Sequence, residues 1–282
     1  MAVVVAIIAP GAMGAAVGKR LVDHGVRVLT SLAGRSAAST ARARDAGMIA
    51  ASDAEIAAAD FILSILPPGQ ALALAQHFAP VLVASNAKPI YVDCNAVNPA
   101  TVERVAATIA PTGCSFVDCG IIGAPPKGDD AGPRLYASGE AARRFSGLRQ
   151  YGLDVRVLDG APSAASALKM SYAGITKGTQ AIGAAMILAA CRARSSDALL
   201  SELSFSQKEL LRQFRAQLPM MPGKAYRWVA EMQEIAGFVG GDPAARELYD
   251  GAARFYERMA QDFAGDQKDV AALKAFLDKA GS

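Results

Sequence analysis

The sequence predicts an α/β amino-terminal half, built on a doubly wound parallel sheet, followed by an all-α carboxyl-terminal half. Three observations carry this. Up to about Gly160, short β-rich runs alternate with alanine-rich helical stretches. The first run, Val3–Ile8, is unbroken apolar sequence, as expected for a parallel strand covered on both faces. After Gly160 the strand pattern stops and only helical periodicity continues. The expected division is therefore residues 1–160 and 161–282, joined at the turn Gly160-Ala161-Pro162.

Further strand candidates are Arg27–Thr30, Phe61–Leu66, Ile90–Asp93, Ser115–Gly120, Arg134–Ser138 and Val155–Leu158. Helices are expected between them at 12–24, 36–46, 69–79, 98–110 and 140–151. Ser52-x-x-Glu55 reads as a capping box for one more short helix. Asn98-Pro99 supplies a cap and a first-turn proline. Beyond Ser163 one long helix reaches about Cys191, rich in alanine and glycine. Helices at 196–217, 223–238, 243–263 and 266–280 follow, separated by Pro219, Pro222, Gly240-Gly241 and Gly265.

A chain of 282 residues, 52% hydrophobic and 20% charged, can bury a large core, which excludes a disordered or disulfide-stapled scaffold. Net charge is +3, spread evenly along the chain, so nothing resembles the basic face that binds nucleic acid. No stretch approaches the roughly 18 apolar residues of a membrane span. The start of the chain lacks the basic segment of a secretion signal. Four cysteines without a CxxC pair read as buried thiols of a reducing cytoplasm, with no metal site. His24 and His77 read as structural.

Directly after the first strand stands Ala9-Pro10-Gly11-Ala12-Met13-Gly14, opening a helix, with a second strand within about thirty residues. In this Rossmann-type setting Gly11 lets backbone approach a pyrophosphate, Gly14 lets helix pack on strand, and the free N–H groups of the helix start face the anion. Pro10, Gly11, Ala12, Met13 and Gly14 are thus cofactor-binding candidates. A site for NAD places an acid after the second strand, to bond the ribose 2′-hydroxyl. Here Thr30–Ser36 offers no acid but Arg35 and Ser36, with Ser39 and Arg42 further on, a combination suited to the 2′-phosphate of NADP(H). Leu66-Pro67-Pro68, ending a strand, should line the cofactor, and Asn95 reads equally as a contact to nicotinamide ribose or substrate and as a plain loop cap.

These features resemble the 6-phosphogluconate dehydrogenase and β-hydroxyacid dehydrogenase superfamily. Gly11-x-Met13-Gly14 is similar to its phosphate turn, Val92–Pro99 to its loop bordering the nicotinamide, and Phe116–Ala124 to its substrate loop. Lys169-Met170-Ser171-Tyr172-Ala173-Gly174-Ile175 is similar to its catalytic-lysine helix. The helical tail, including Tyr226–Met232, resembles a small divergent subgroup. The resemblance implies Lys169 as general acid/base for hydride exchange between nicotinamide and an alcohol or carbonyl. Lysine amines are protonated at neutral pH unless burial or a nearby cation intervenes. At 100° per residue Lys169, Tyr172, Ala173, Thr176 and Gln180 share one helical face, a polar stripe that predicts a cleft.

Two positions depart from the family. Its substrate loop reads Ser-Gly-Gly where this chain has Ile122-Gly123-Ala124, and its helix carries Asn where this chain has Ala173. Both favour a bulkier or less acidic substrate, with Tyr172 supplying a polar group and Thr176 lining the site. Reduction of a C=N bond, as in imine reductases of similar architecture, and a non-catalytic NADP-sensing role are the alternatives. Lys127–Asp130 reads as a mobile surface loop and Lys177 as a rim charge. Arg227 and Glu231, spaced i,i+4, read as a pair, and Trp228 as core or subunit interface. The long small-residue helix predicts a homodimer.

Overall fold

The computed structural model describes residues 3–128, 130 and 132–279. Its contacts divide the chain into two compact units, Met1–Met170 and Ser171–Ser282. The first unit holds an eight-stranded sheet: β1 (Val4–Ile8), β2 (Arg27–Thr30), β3 (Ile49–Ala50), β4 (Phe61–Ser64), β5 (Ile90–Asp93), β6 (Phe116–Ile122), β7 (Arg134–Ser138) and β8 (Asp154–Val157). Spatial order is β3-β2-β1-β4-β5-β6-β7-β8. Every neighbouring pair is parallel except β6 and β7.

Six helices cover the sheet: α1 (Ala12–Asp23), α2 (Ala37–Asp45), α3 (Asp53–Ala57), α4 (Ala71–Ala84), α5 (Pro99–Ile109) and α6 (Ala142–Phe145). The two-residue period of β1 sorts its side chains between two layers. Val5 and Ile7 pack with Val17 and Leu21 of α1 and Phe145 of α6. Ala6 and Ile8 pack with Ile56 of α3, Phe78 of α4 and Val102 of α5. Both faces are buried, which is why the run is apolar throughout. The capping box is present, with the Ser52 N–H donating to Glu55 Oε2 over 2.8 Å. Asn98 accepts from the Thr101 N–H over 2.9 Å.

Several bounds differ from the sequence expectation. Helix α4 runs through Pro80 to Ala84 instead of ending at 79. The missing N–H costs about 3 kcal/mol, but the turns on either side bury Phe78 and Leu82 completely, worth about 1.5–3 kcal/mol each. The stretch 140–151 is only the short α6 followed by 3₁₀ turns, and β3 is too short to show a pattern. The first unit extends beyond 160 because the opening turns of α7 (Ala164–Arg192) pack against β6.

The second unit contains the rest of α7 with α8 (Ser196–Ser206), α9 (Lys208–Gln217), α10 (Pro222–Phe238), α11 (Pro243–Ala264) and α12 (Lys268–Lys279). The single helix expected over 196–217 breaks at Gln207, whose backbone leaves the helical region at ψ 46°. At its centre the Lys177 ammonium pairs with the Glu231 carboxylate, beneath the Trp228 ring at 5.1 Å. Glu231 therefore takes a partner from α7 rather than Arg227, which lies over the Tyr226 ring, and Lys177 is not a rim charge. The Tyr256 ring meets Trp228 edge-on, and its hydroxyl donates to the Lys177 carbonyl over 2.6 Å. Burial, then the Glu231 charge, push that phenol well above its ordinary pKa. No helix among the described residues is long and apolar enough to cross a membrane. Removing one member of a buried ion pair strands the other charge, so Glu231→Ala should lower unfolding free energy by about 3–5 kcal/mol. The double variant Lys177→Met/Glu231→Leu should lose clearly less, as denaturant titration of both would show.

Candidate functional site

Strand register defines one edge of the first unit. Ile8, Ser64, Asp93 and Asp118 are successive partners across β1, β4, β5 and β6, so β1, β4 and β5 end on one line while β6 runs four residues past it to Ile122. Open α/β sheets bind ligands outside this edge.

At the end of β1 the chain turns through Ala9 and Pro10 into α1, with Gly11 at the N-cap and no side-chain cap. A Cβ on Gly14 would collide with the Ala9 carbonyl oxygen, so this position needs glycine for helix and strand to touch. A Cβ on Gly11 would meet nothing within 4 Å. The two glycines therefore answer different demands, one internal and one facing open space. Ala12 is exposed and Met13 is half-buried against the core. The early N–H groups of α1 have no intrahelical acceptors by helix geometry. These residues fit a dinucleotide pyrophosphate.

After β2, Gly34 (φ +68°) turns the chain into Arg35, half-buried, and Ser36, the N-cap of α2. The Ser36 oxygen accepts from the Ser39 N–H over 3.3 Å. Arg42 reaches back to the phosphate turn, Nε donating to the Pro10 carbonyl over 3.2 Å and Nη2 to Ser39 Oγ over 2.9 Å. Arg42 is thus no simple solvated charge.

The β4 and β5 loops are joined through Asn95, which is 3% exposed. Its Oδ1 accepts from the Leu66 N–H over 2.6 Å, and its Nδ2 donates to Ser64 Oγ over 2.8 Å and to Asp93 Oδ1. The amide is bonded within the protein, so Asn95 clamps the loop of Leu66 and Pro67, the loop-capping role of its two expected ones. Pro67 itself is exposed. Cys94 beside it is buried, and burial raises its thiol pKa, with Cys119 alongside.

Asp118, fully buried in β6, organises the start of α7. Its Oδ2 accepts from the Ser166 N–H over 2.8 Å and its Oδ1 from the Ser166 hydroxyl over 2.6 Å. Ser138 of β7 donates to Asp118 and accepts from the Ala165 N–H over 3.0 Å. Burial raises the Asp118 pKa against these hydrogen bonds, which lower it. One turn on stands Lys169, half-buried. A Cβ on Gly120 would lie 2.7 Å from the Ala165 carbonyl oxygen and 3.1 Å from Lys169 Cβ. The lysine therefore rises over a glycine two residues past the carboxyl-edge line. Composition around Ser163 signals the helix start, but nothing local in sequence pairs Asp118 and Ser138 with it.

Beyond Gly120, Ile122 is 8% exposed, while Gly123 and Ala124 are exposed. Gly123 (φ +132°) needs glycine, since a Cβ would meet Pro133 Cα at 2.9 Å. Within the Lys127–Asp130 stretch Asp129 lies outside the described residues. The rest is tied down, because Arg20 of α1 donates to the Gly128 carbonyl (2.9 Å) and to Asp130 Oδ1 (3.1 Å). In the second unit Tyr172 is 49% exposed. The Thr176 hydroxyl donates to the Tyr172 carbonyl over 2.8 Å, and Gln180 donates to the Thr176 carbonyl over 3.1 Å. Those two polar groups of the stripe are satisfied on their own helix.

The family model of the NAD binding domain of 6-phosphogluconate dehydrogenase matches residues 4–150. A domain of unknown function matches residues 190–259. No curated protein matches. Among solved structures, a conserved protein of unknown function similar in structure to 3-hydroxyacid dehydrogenases is 29% identical, with 92% of this chain and 97% of that one covered and a TM-score of 0.71. The Mycobacterium tuberculosis 3-hydroxyisobutyrate dehydrogenase, solved with L-serine, is 19% identical over 98% of this chain and 99% of its own, at TM-score 0.72. A Streptomyces aurantiacus imine reductase is 17% identical over 93% and 97%, at TM-score 0.56. The last two likenesses are of fold.

Because folding raises the Asp118 pKa, the folded state binds this proton more tightly than the unfolded one. Its contribution to stability is then present in full below the unfolded value of 3.8 and lost as pH rises through the folded value. Relative to Asp118→Asn, the wild-type chain should gain unfolding free energy as pH falls toward 4. Denaturant titrations at several pH values check this, and the opposite slope would reject it.

Proposed function

Because the chain belongs to the family built on the NAD binding domain of 6-phosphogluconate dehydrogenase, we propose that it is an NADP(H)-dependent oxidoreductase acting between an alcohol and a carbonyl, with Lys169 as general acid/base. The observation that carries the reading is Lys169 rising over Gly120, just past the carboxyl-edge line of the strands that the phosphate turn also borders.

In this reading Pro10 to Gly14 bind the pyrophosphate through backbone N–H groups. Arg35 and Ser36 bind the 2′-phosphate, Leu66 and Pro67 line the dinucleotide, and Asn95 positions Leu66. Bound NADP(H) supplies or accepts the hydride. In the oxidative direction Lys169 Nζ takes the substrate hydroxyl proton, and in the reductive direction its ammonium gives a proton to the carbonyl oxygen. Tyr172, three residues along α7, offers a phenol where Ala173 has no amide. Ile122, Gly123 and Ala124 give the substrate an apolar wall without a hydroxyl, and Thr176 adds to its lining. That set favours an alcohol, ketone or aldehyde larger or less acidic than a short hydroxy acid.

We further propose a homodimer in the cytoplasm. On α7 the side chains of Ile175, Ile182 and Met186 are 69%, 55% and 60% exposed. Ile182 lies between two apolar grooves of about 190 and 370 Å³, the first edged by Leu248 and Phe255 and the second by Met186, Leu203 and Phe214. A ridge flanked by grooves is self-complementary about a two-fold axis. Light scattering at micromolar concentration should give a dimer, and Ile182→Glu/Met186→Glu a monomer.

The decisive experiment for the chemistry is Lys169→Ala assayed with NADPH or NADP on a panel of alcohols, ketones and aldehydes. Turnover should fall by about 10²–10⁴-fold with NADPH affinity retained. Undiminished turnover rejects the role of Lys169. Absence of turnover in the wild type, with NADPH raising Tm, supports a sensor instead.

A further inference from the structure

Among the described residues, Arg42 is the one side chain of α2 that hydrogen-bonds to the phosphate turn. Its Nε donates to the Pro10 carbonyl (3.2 Å) and its Nη2 to Ser39 Oγ (2.9 Å), while Ser36 Oγ donates to the same Ser39 oxygen (3.2 Å). A continuous hydrogen-bonded chain thus runs from the turn that ends β1 to the cap of α2, across thirty-two residues of sequence.

The donor inventory of this chain is not exhausted. A guanidinium carries five N–H groups, and only two of those on Arg42 have acceptors among the described residues. Ser39 Oγ accepts from both neighbours, which leaves its own proton to donate. Arg42 also lines an open cavity of about 320 Å³ between α1 and α2, whose wall runs along α1 from Ala12 to Asp23. Other charges on that cavity are matched: Lys19 pairs with Asp23 at 2.9 Å, Arg20 with Asp130 at 3.1 Å, and Asp45 with Arg44 at 3.4 Å. Among the described residues, no carboxylate pairs with Arg42. A cation held in place by two neutral acceptors keeps its charge available for an anion.

We propose that Arg42 is a specificity-determining residue for the cofactor, its guanidinium held by Pro10 and Ser39 so that its remaining donors meet the ribose 2′-phosphate. This rests on the NADP(H) reading above and adds a second cation to Arg35. A lysine would not substitute, because a single ammonium lacks the fork that meets a backbone carbonyl and a hydroxyl together.

The test is the dissociation constants of NADPH and NADH for the full chain, by fluorescence titration, in the wild type and in Arg42→Ala, Ser39→Ala and Arg35→Ala. A charge-assisted hydrogen bond contributes about 1.5–3 kcal/mol, or roughly tenfold or more in affinity. Arg42→Ala should weaken NADPH at least about tenfold while NADH changes by less than about threefold, and the salt dependence of NADPH binding should flatten. Ser39→Ala should move the ratio the same way by a smaller factor. Equal losses for both cofactors, or no loss, overturn the role given to Arg42 while leaving the NADP(H) reading intact if Arg35→Ala still lowers the ratio. A wild type that binds NADH more tightly, with Arg35→Ala neutral, overturns that reading itself. Should Arg42→Ala fail to fold, Arg42→Gln, which keeps a shorter, neutral amide donor, reads the same ratio.

Discussion

The geometry of the candidate site depends on one buried carboxylate. Asp118 accepts the N–H and the hydroxyl of Ser166, while Ser138 accepts the N–H of Ala165. A helix of twenty-nine residues begins with orphan N–H groups and a partial positive charge at its start. Here both are met by side chains from β6 and β7 rather than by a residue preceding the helix. The first turn is thereby fixed to the sheet, and Lys169 follows from it by helical geometry. Gly120 completes the arrangement, since any side chain there would push Ala165 and Lys169 off the strand. The energetic terms oppose one another, burial raising the Asp118 pKa and four hydrogen bonds lowering it. Retaining such a group is costly unless it is fully satisfied, and satisfaction is what specifies the position.

A second polar clamp works the same way across the neighbouring strands. Asn95 joins the Leu66 N–H, Ser64 and Asp93, three groups at the ends of β4 and β5. Its amide is enclosed, so it acts on a ligand only through the backbone it holds. Loops at the carboxyl edge would otherwise be the least ordered part of a parallel sheet. Here Asn95, Asp118 and Arg42 each tie one loop to another element.

How much of this was legible in sequence follows from the range of each interaction. The phosphate turn, the Ser52/Glu55 capping box and the Asn98 cap were readable because all their partners lie within six residues. The strand order could be anticipated only as a class, since parallel strands carry similar apolar runs whatever their neighbours. Asp118 and Ser166 are forty-eight residues apart, and Lys177 and Glu231 fifty-four. No local spacing marks either pair, whereas Arg227 and Glu231 have the right spacing and the wrong partner. The i,i+4 rule gives proximity but not preference: an ammonium from α7 outcompetes an exposed arginine for a buried carboxylate because burial strengthens the pairing. Pro80 misled for a related reason, as a local breaker was outweighed by tertiary burial. The polar stripe on α7 was real as a pattern, yet Thr176 and Gln180 bond their own helix, so periodicity alone did not identify which polar groups remain available.

The two ends of α1 link the glycine turn after β1 to the β6–β7 connection. Its start carries Gly11 and Gly14, and its last turns carry Arg20, which holds Gly128 and Asp130 of the β6–β7 connection. The same connection begins with Ile122, Gly123 and Ala124 and is closed by the contact of Gly123 with Pro133. Nothing in this connection offers a hydroxyl at the position of Ile122, and its backbone is held at both ends. A connection so tethered and without a hydroxyl presents shape and apolarity, which is what the proposed reading of the substrate draws on. The departures from the family pattern therefore fall on this connection and on Ala173, while the frame that orients Lys169 and the phosphate turn is kept.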